Sequence, residues 1–567
     1  MKLIFNNDSY NNTEKCKRLK FLHTIIFLCL ISFRPDVAFS QWSISSSVNT
    51  PVSTALLDQQ EVRIVSDGRK GAIAAWEDFR FNLSFADIYV QRIDSNGMVK
   101  WANNGLAVCN NIFDQRNLSI TETPDYGAII SWSDARNGNW DIYAQKVDSS
   151  GTIVWASNGV PVCVKALHQQ DVKSVSDMNG GAYFVWVDSV AGFFDIYVQH
   201  LDANGNQLLA TSGLPVCTSL DKQINARIDI DGSGGCIITW MDKRFGDYDI
   251  YAQRIDMNGV VQWANNGVLV GASAGNQSNP KIEPDGAGGA IIVWQDFRNS
   301  NDYDVYAQRI NSSGVVQWTP GGVGVCTLVG SSQSAVEVST KGGVNGAIIA
   351  WKDGRAGVGA SQIYMQMINP SGVPQWASNG ILIGNGINPN LCEDGAGGVI
   401  VTWQDSTFGD WNVMSQRVDA TGNILWTPGG EKVGSAVDNQ TGPKNISDGN
   451  GGSIYAFQDK RNLADFDIYA HHLYSYGSAV GIMENISGNK KSKCYPNPIT
   501  NNSIIFFDSN GRDWSVEIFD SKGVMIRQEK IFGKNSKVLE ERYTSGVYFY
   551  HIHDEYGNTS CGNFVVN

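Results

Sequence analysis

Apolar and polar positions follow one pattern that returns eight times along this chain. Each copy has an unbroken apolar run ending in a Trp-x-Asp string, then an Ile-Tyr-x-Gln string, an Asp-x-x-Gly turn and usually a second Trp. Because self-similarity at a fixed period marks one supersecondary unit stacked on itself, the pattern predicts a repeat architecture with a period of about 54 residues. The first aromatic residue of each copy sets the period: Trp76, Trp132, Trp186, Trp240, Trp294, Trp351, Trp403 and Phe457.

The fifth copy shows what one unit contains. Asn279–Pro284 is predicted as a first strand, and Asp285–Gly289 supplies turn residues that permit positive φ. Ala290–Trp294 is an unbroken apolar run bounded by turns, which suits a strand covered on both faces. Asp304–Ile310 and Val315–Trp318 are predicted as the third and fourth strands. Four antiparallel strands in each of eight copies indicate an all-β fold, an eight-bladed β-propeller of four-stranded blades.

A propeller leaves a sheet edge open unless its first and last blades join. The eighth copy ends near Gly477 without a second Trp, whereas Trp42 matches Trp263 of the fourth copy. We therefore predict that residues 41 to about 50 form the outer strand of blade eight. The propeller then spans residues 41–482.

The start of the chain has the order of a secretory signal. Basic residues precede an apolar run from Phe21 to Phe33, and small residues precede Gln41. We predict a signal peptide over residues 1–40 that is cleaved between Ser40 and Gln41. The apolar run is too short for a membrane span, which needs about 20 apolar residues, and no later segment is long enough.

The chain changes character after about residue 482, where a polar linker over residues 483–494 ends the repeat. A strand at Ser503–Phe507, a hairpin at Val516–Gly523 and a terminal strand at Phe564–Val566 follow. The segment opens on the motif Tyr495, Pro496, Asn497 and Pro498.

These elements, in this order, resemble the type A C-terminal sorting domain of type IX secretion. The resemblance implies a small C-terminal β-sandwich over residues 495–567 that the type IX secretion machinery recognises. It also implies a secreted or cell-surface protein that passes through the periplasm; an adhesive immunoglobulin-like domain is the alternative. Since export favours oxidation, Cys494 and Cys561 at the two ends of this domain are candidates for a disulfide.

The formal charge of -13 argues against binding nucleic acid or anionic lipid through bulk electrostatics. The Asp and Arg of strings such as Asp134/Arg136 could grip a sugar or carboxylate, because Arg offers a planar fork of donors. A motif found in nearly every blade is better explained as part of the scaffold. Tyr143 and its equivalents are then packing residues with a polar tip.

The hairpin Arg254–Trp263 resembles the docking motif of quinoprotein propellers, but only two residues separate Asp256 from Gly259. No adjacent Cys pair accompanies it, so we predict no cofactor. A looser similarity to the Asp-box of sialidases also fails at the spacing. Both motifs fit a tight β-hairpin locked by an aromatic residue.

The histidines show neither zinc spacing nor a catalytic triad, so no metal or catalytic residue is predicted. Cys109, Cys163, Cys217 and Cys326 share one repeat position and are predicted as small buried apolar residues. Calcium remains possible at the acids of the first turn, although a Gly-rich turn explains them with fewer assumptions. These acids are Asp67, Asp177, Asp231, Asp285, Asp394 and Asp448.

Copies three, six and seven depart most from the pattern between the second and third strands, at Ser189–Phe194, Gly354–Gln362 and Ser406–Trp411. Loops on a rigid scaffold are the usual place for ligand contacts. The leading hypothesis is a non-enzymatic exported propeller that binds a glycan or surface protein. The alternatives are a polysaccharide-acting hydrolase or lyase, for example sialidase-like, and an inert surface-layer component. The candidate ligand-binding residues are Phe193, Phe194, Phe408 and Trp411.

Overall fold

The structure is a computed structural model. It describes residues 42–477 except 44, 191–192, 341–345, 358, 408 and 476, and, further on, residues 492–495, 504–507, 513–520, 525–532, 536–538, 543, 546–554 and 559–566. The predicted signal peptide, its cleavage site at Ser40 and Gln41, and Pro496–Pro498 of the sorting motif lie outside the described residues.

The described part of the repeat region contains β-strands and no helix. In chain order they are β1 (Thr50–Ser53), β2 (Gln59–Ser66), β3 (Ala72–Asp78), β4 (Asp87–Ile93), β5 (Leu106–Cys109), β6 (Gln115–Glu122), β7 (Ala128–Asp134), β8 (Asp141–Val147), β9 (Val160–Cys163), β10 (Gln169–Ser176), β11 (Ala182–Val190), β12 (Phe193–Leu201), β13 (Leu214–Cys217), β14 (Gln223–Ile230), β15 (Cys236–Asp242), β16 (Asp249–Ile255), β17 (Val268–Gly271), β18 (Gln277–Pro284), β19 (Ala290–Asp296), β20 (Asp304–Ile310), β21 (Val323–Cys326), β22 (Gln333–Ser339), β23 (Ala347–Asp353), β24 (Gln362–Ile368), β25 (Ile381–Asn385), β26 (Ile387–Glu393), β27 (Val399–Asp405), β28 (Asn412–Val418), β29 (Glu431–Gly434), β30 (Gln440–Ser447), β31 (Ser453–Asp459) and β32 (Asp467–Leu473).

These strands form eight four-stranded antiparallel sheets, which confirms the predicted propeller. Seven blades use four consecutive strands, from β2–β5 to β26–β29. The first strand of each blade is innermost and contacts the first strands of its two neighbours, and β30 contacts β2 to close the ring. The eight first strands therefore surround one central channel.

The second strands pack between neighbouring blades because both of their faces are apolar. All seven residues of β19 are buried, and Trp294 has no exposed surface. The unbroken apolar runs seen in the sequence are thus explained by burial on both faces of each sheet.

Two predicted strands are placed differently in the structure. The fourth strand of blade five is Val323–Cys326, not Val315–Trp318. Val316 forms only an isolated bridge to Ile310 in the preceding hairpin. The prediction was wrong because Trp318 packs between blades and not within a strand: its indole donates to the Pro370 carbonyl of the next blade, at 2.9 Å.

The N-terminal segment does complete blade eight, but its strand is Thr50–Ser53, which pairs with β32, and not residues 41 to about 50. Trp42 precedes that strand and occupies, in blade eight, the position that the second Trp has in other blades. Its indole nitrogen donates to the Ser95 carbonyl oxygen of blade one at 3.0 Å. A Cβ on Gly97, whose φ is +82°, would lie 2.9 Å from this indole. Glycine at this turn therefore leaves the space in which Trp42 packs between blades eight and one.

A second β-unit follows the propeller. Its strands are β33 (Ser492–Tyr495), β34 (Ile504–Phe507), β35 (Trp514–Phe519), β36 (Met525–Ile531), β37 (Ser536–Val538), β38 (Gly546–Asp554) and β39 (Thr559–Val566). They form a three-stranded sheet, β33-β34-β37, and a four-stranded sheet, β36-β35-β38-β39. Ile505 of the first sheet packs with Trp514 and Phe564 of the second, as expected for a small sandwich. Among the described residues, no helix is long and apolar enough to cross a membrane.

Candidate functional site

The first strand of every blade carries a β-bulge near its third residue, where the register to the second strand shifts, for example between Gln60 and Arg63. The bulged residue adopts positive φ, a conformation that Asn tolerates better than most residues. The bulged residues surround one end of the central channel, which we call the Asn mouth after its four asparagines. Around the ring they are Glu61, Asn117, Asp171, Asn225, Asn279, Ala335, Asn388 and Gly442.

Two residues further along each first strand lies a level rich in cations. Five of the eight side chains are basic, and the other three are Ser119, Glu337 and Asn390. A cavity of about 320 Å³ lies between the first strands at this level. The basic residues, which we call the cation band, are Arg63, Lys173, Arg227, Lys281 and Lys444.

Two members of the cation band have carboxylate partners. Lys281 Nζ lies 2.6 Å from Glu337, and Arg63 lies 3.0 Å from Glu61. Among the described residues, Lys173 donates only to the Val172 carbonyl, at 2.9 Å.

Within the described ranges, Arg227 likewise donates only to the Ala226 carbonyl, at 2.8 Å. Lys444 has no hydrogen bond or ion pair within the part of the chain that the structure describes. Among the described residues, Lys173, Arg227 and Lys444 thus form no ion pair, although Glu337 and Asp171 act on Arg227 from a longer distance.

The cations lower one another's proton affinity. Burial, aided by Arg227, lowers the pKa of Lys173 to about 7. Burial and the neighbouring Arg63 lower the pKa of Lys444 to about 8. Burial also lowers the pKa of Arg227, against the opposing effect of Glu337. A bound anion would relieve this repulsion, so the band is suited to hold negative charge.

The other end of the channel has the opposite character. A cavity of about 520 Å³ there is lined by the carboxyl residues Glu122, Glu283, Glu393 and Asp448, with Lys70 nearby. The channel thus runs from the Asn mouth through the cation band to an acidic end. An anion is favoured at the cation band and disfavoured beyond it.

The Trp-x-Asp-x-Arg string serves the scaffold. In blade two, Asp134 accepts the Trp132 indole N–H at 2.7 Å and the Arg136 Nε–H at 2.8 Å. Arg136 also donates to the Asn158 carbonyl at 2.8 Å and lies 3.8 Å from the centre of the Tyr143 ring. Its donors are held by the protein, as the scaffold interpretation predicts.

Blade three lacks this Arg, and Lys165, from the segment joining blades two and three, replaces it. Lys165 lies 3.0 Å from Asp188 and 3.8 Å from the Tyr197 ring centre. Lys165 thus makes the contacts with Asp and Tyr that Arg136 makes in blade two, although it lies in a different segment of its repeat.

The acids of the first turn, where calcium was considered, are held by protein donors. Asp67 Oδ1 accepts the backbone N–H groups of Arg69 and Gly71, at 2.8 and 2.7 Å. Its Oδ2 accepts Arg92 Nε–H at 2.9 Å. In blades three and eight, histidines at 2.9 and 2.8 Å take the place of this Arg.

The predicted loop residues are not brought together. Phe193 and Phe194 belong to blade three, whereas Trp411 belongs to blade seven, on the opposite side of the ring. Phe193 is exposed, and the half-buried Trp411 bonds through its backbone to the next blade. Phe408 lies outside the described residues. The aromatic side chains most exposed in this class of loop are instead Phe81 and Phe245 of blades one and four.

Glu77 is a carboxyl near the Asn mouth that does not recur in the other copies. It is buried, and burial raises its pKa to about 7. Its side chain accepts the backbone N–H of Asn117 at 2.7 Å. Gln458 does the same for the backbone N–H of Glu61 at 3.0 Å, so Glu77 supports the bulge of the next blade.

The cysteines that share one repeat position, such as Cys109 and Cys163, end the fourth strands and are buried, as predicted. Burial raises the pKa of Cys163 to about 12, which makes the thiol unreactive. The side chains of Cys494 and Cys561 lie outside the described set, so their pairing stays a prediction.

The Asn mouth and the cation band were not predicted from the sequence. The signal was present, because the third and fifth residues of each first strand can be counted from the Gln that opens most copies. The fifth position varies between basic, acidic and neutral residues, and its functional character appears only when the eight copies are placed in a ring.

Three solved structures illustrate what the chain is similar to. Polysaccharide lyase Uly1 matches with a TM-score of 0.39 at 8% identity, covering 78% of this chain and 94% of that one. An ulvan lyase of a new polysaccharide lyase family matches with 0.36 at 9%, covering 77% and 96%. A protein of unknown function from Dyadobacter fermentans matches with 0.34 at 10%, covering 64% and 95%. Nothing about ligands follows from these values.

No curated protein matches the chain. A family model does match its end: residues 493–567 fit the secretion system C-terminal sorting domain. This agrees with the separate small β-unit and with the resemblance noted in the sequence. The chain therefore carries a C-terminal sorting domain of type IX secretion, which marks it for secretion or for the cell surface.

Proposed function

We propose that this exported propeller binds an acidic glycan in its central channel, entered from the Asn mouth, and does not cleave it. The observation that carries the proposal is a set of three cations that form no ion pair among the described residues, Lys173, Arg227 and Lys444. Lys173 and Lys444 line one cavity together with Arg63. Lys and Arg bind carboxylate, sulfate and phosphate groups through charge-assisted hydrogen bonds.

The Asn mouth supports a sugar rather than a simple anion. An Asn side chain offers both a donor and an acceptor, which suits the hydroxyl groups of a sugar ring. Asn117, Asn279 and Asn388 are exposed. A ligand that places hydroxyls at the Asn mouth and an acidic group one level deeper satisfies both sets of side chains.

The sorting domain supports delivery of the propeller to the cell surface or medium by the type IX secretion machinery, and we propose that the chain passes through the periplasm on this route. Outside the cell the partner is then an environmental or surface polysaccharide. A surface protein presenting clustered acidic groups is the other form of the binding hypothesis, and a hydrolase or lyase is the enzymatic alternative.

The test is binding of polygalacturonate and of its methyl-esterified, uncharged form to the full-length mature protein, measured by calorimetry. We expect binding of the acidic form only. Replacing Lys173 or Lys444 by Gln should weaken it about tenfold each, since a charged hydrogen bond contributes about 1.5 kcal/mol. Lys100→Gln, on an outer hairpin beside Asp94, makes the same charge change outside the channel and should have no effect.

Equal binding of charged and esterified polymer, or equal loss in the Lys100 control, would contradict the proposal. Chondroitin sulfate and chondroitin form a second matched pair that tests sulfate instead of carboxylate. Release of reducing ends or shortened products during incubation would favour the enzymatic alternative.

A further inference from the structure

The sorting domain contains a group of metal-ligating side chains unrelated to the channel. Glu517 lies on β35, and His551 and His553 lie on the neighbouring strand β38. One ligand atom from each of the three lies within 4.8 Å of the other two. Within the described residues this is the only group of three such side chains that could hold a metal ion.

Strand register explains why these side chains meet. Glu517 pairs directly with His551, and His553 follows two residues later on the same strand. Side chains two apart point to the same face of a sheet. Val516 and Ile552, which alternate with them, are buried in the sandwich core, so the three ligating side chains share the outer face.

The carboxylate is already oriented. Glu517 Oε1 accepts Gln528 Nε2–H from the strand on its other side at 3.0 Å, and Oε2 lies 3.3 Å from His551 Nδ1. A hydrogen bond to one oxygen fixes the orientation of a ligating carboxylate. The His551 and His553 ring centres are 5.7 Å apart, and all three side chains are half-buried, so rotamer changes can draw the ligand atoms closer.

We infer that the sorting domain binds one Zn²⁺ ion through Glu517, His551 and His553, with the fourth position open to water. Two imidazoles and a carboxylate are ligands that Zn²⁺ accepts at about 2.0–2.2 Å, whereas Mg²⁺ and Ca²⁺ prefer oxygen ligands alone. The ion would join the two central strands of the four-stranded sheet. Because it binds only the folded arrangement, it stabilises the sorting domain.

The experiment titrates the tag-free full chain, stripped of metal by a chelator, with ZnCl₂ near neutral pH, by equilibrium dialysis or calorimetry. We expect a site that His553→Gln and Glu517→Gln each weaken by at least about tenfold. His168→Gln, at an exposed histidine of the propeller, is the matched control and should bind like the wild type. Circular dichroism of each variant checks the fold.

Cobalt gives an independent readout, since Co²⁺ bound by two histidines and a carboxylate with few waters has strong visible absorption. We expect this absorption in the wild type and the His168 variant and its loss in the other two. Equal Zn²⁺ stoichiometry and affinity in wild type and His553→Gln, or no Zn²⁺ binding at micromolar concentration, would overturn the inference. Neither result depends on whether the channel binds a glycan.

Discussion

Replacing Glu77 by Gln should stabilise the protein, and the gain should depend on pH. Glu77 is buried at the interface of blades one and two, where burial raises its pKa from 4.5 to about 7. A carboxyl whose folded pKa is raised takes up a proton more readily in the folded state. Its ionisation therefore costs stability as pH rises from the unfolded pKa, and the full cost is present above the folded pKa.

The size of this cost follows from the shift. One pKa unit corresponds to 1.36 kcal/mol, so the difference between Glu and Gln should be near zero at pH 4 and about 3 kcal/mol at pH 8. Gln keeps the acceptor for the Asn117 N–H, as Gln458 shows in blade eight. With an unfolding entropy of about 2.1 cal/mol/K per residue, the midpoint of the whole propeller should rise by about 3 °C.

The assay is thermal unfolding of wild type and Glu77→Gln at pH 4.5, 6 and 8. Other titrating groups are the same in both proteins and cancel in the difference. Glu122→Gln removes an exposed carboxyl and should leave no such pH-dependent difference. A variant that is less stable than wild type at pH 8, or a gain of equal size at every pH, would refute the reasoning.

Three further predictions concern the ring and the channel. Trp42→Ala should lower the thermal midpoint by the equivalent of about 3–5 kcal/mol, because this buried indole seals blade eight against blade one; an unchanged melt would contradict the closure. Asp134→Ala should cost about 3–5 kcal/mol in unfolding experiments, because it leaves Arg136 without its counter-charge, whereas a small loss would show that the Arg is hydrated. Affinity for polygalacturonate should rise as pH falls from 8.5 to 6, since Lys173 and Lys444, with pKa values of about 7 and 8, gain protons in that window; Lys173→Met should flatten the profile measured by calorimetry.

The fold could be predicted because the residues that build it repeat. Trp294 and its equivalents are buried in every blade, and turn glycines such as Gly314 have positive φ and pack against the Trp of the preceding blade. These requirements are the same at each step around the ring, so they produce a period. The fourth strand was misplaced because Val323–Cys326 has only four residues and follows another short apolar stretch, Val315–Trp318, whose Trp packs between blades.

The candidate site could not be predicted in the same way. Residues that face the channel have no neighbouring blade to match, so their identity is free to differ between copies. Arg63, Ser119 and Glu337 occupy one structural position and share no chemical character. The overall negative charge also concealed a local positive one, because the acids are spread over strands and turns throughout the propeller while the cation band is concentrated at one level inside the ring.

Positions along the first strand therefore differ in role: some hold the blades together, and others are available to bind a ligand. Its opening Gln is buried in blades such as one and five. The Gln277 side chain donates to the Gly275 carbonyl at 2.9 Å and so fixes the turn before the strand, and seven of the eight blades keep this Gln. Four residues later, Lys281 faces the channel beside Glu337 and is not needed to hold the blade in place. A ligand site built from these positions can change in charge without altering the blade. Sequence differences among propellers of this kind should thus concentrate at the third and fifth residues of the first strands, where the repeat constrains residue identity least.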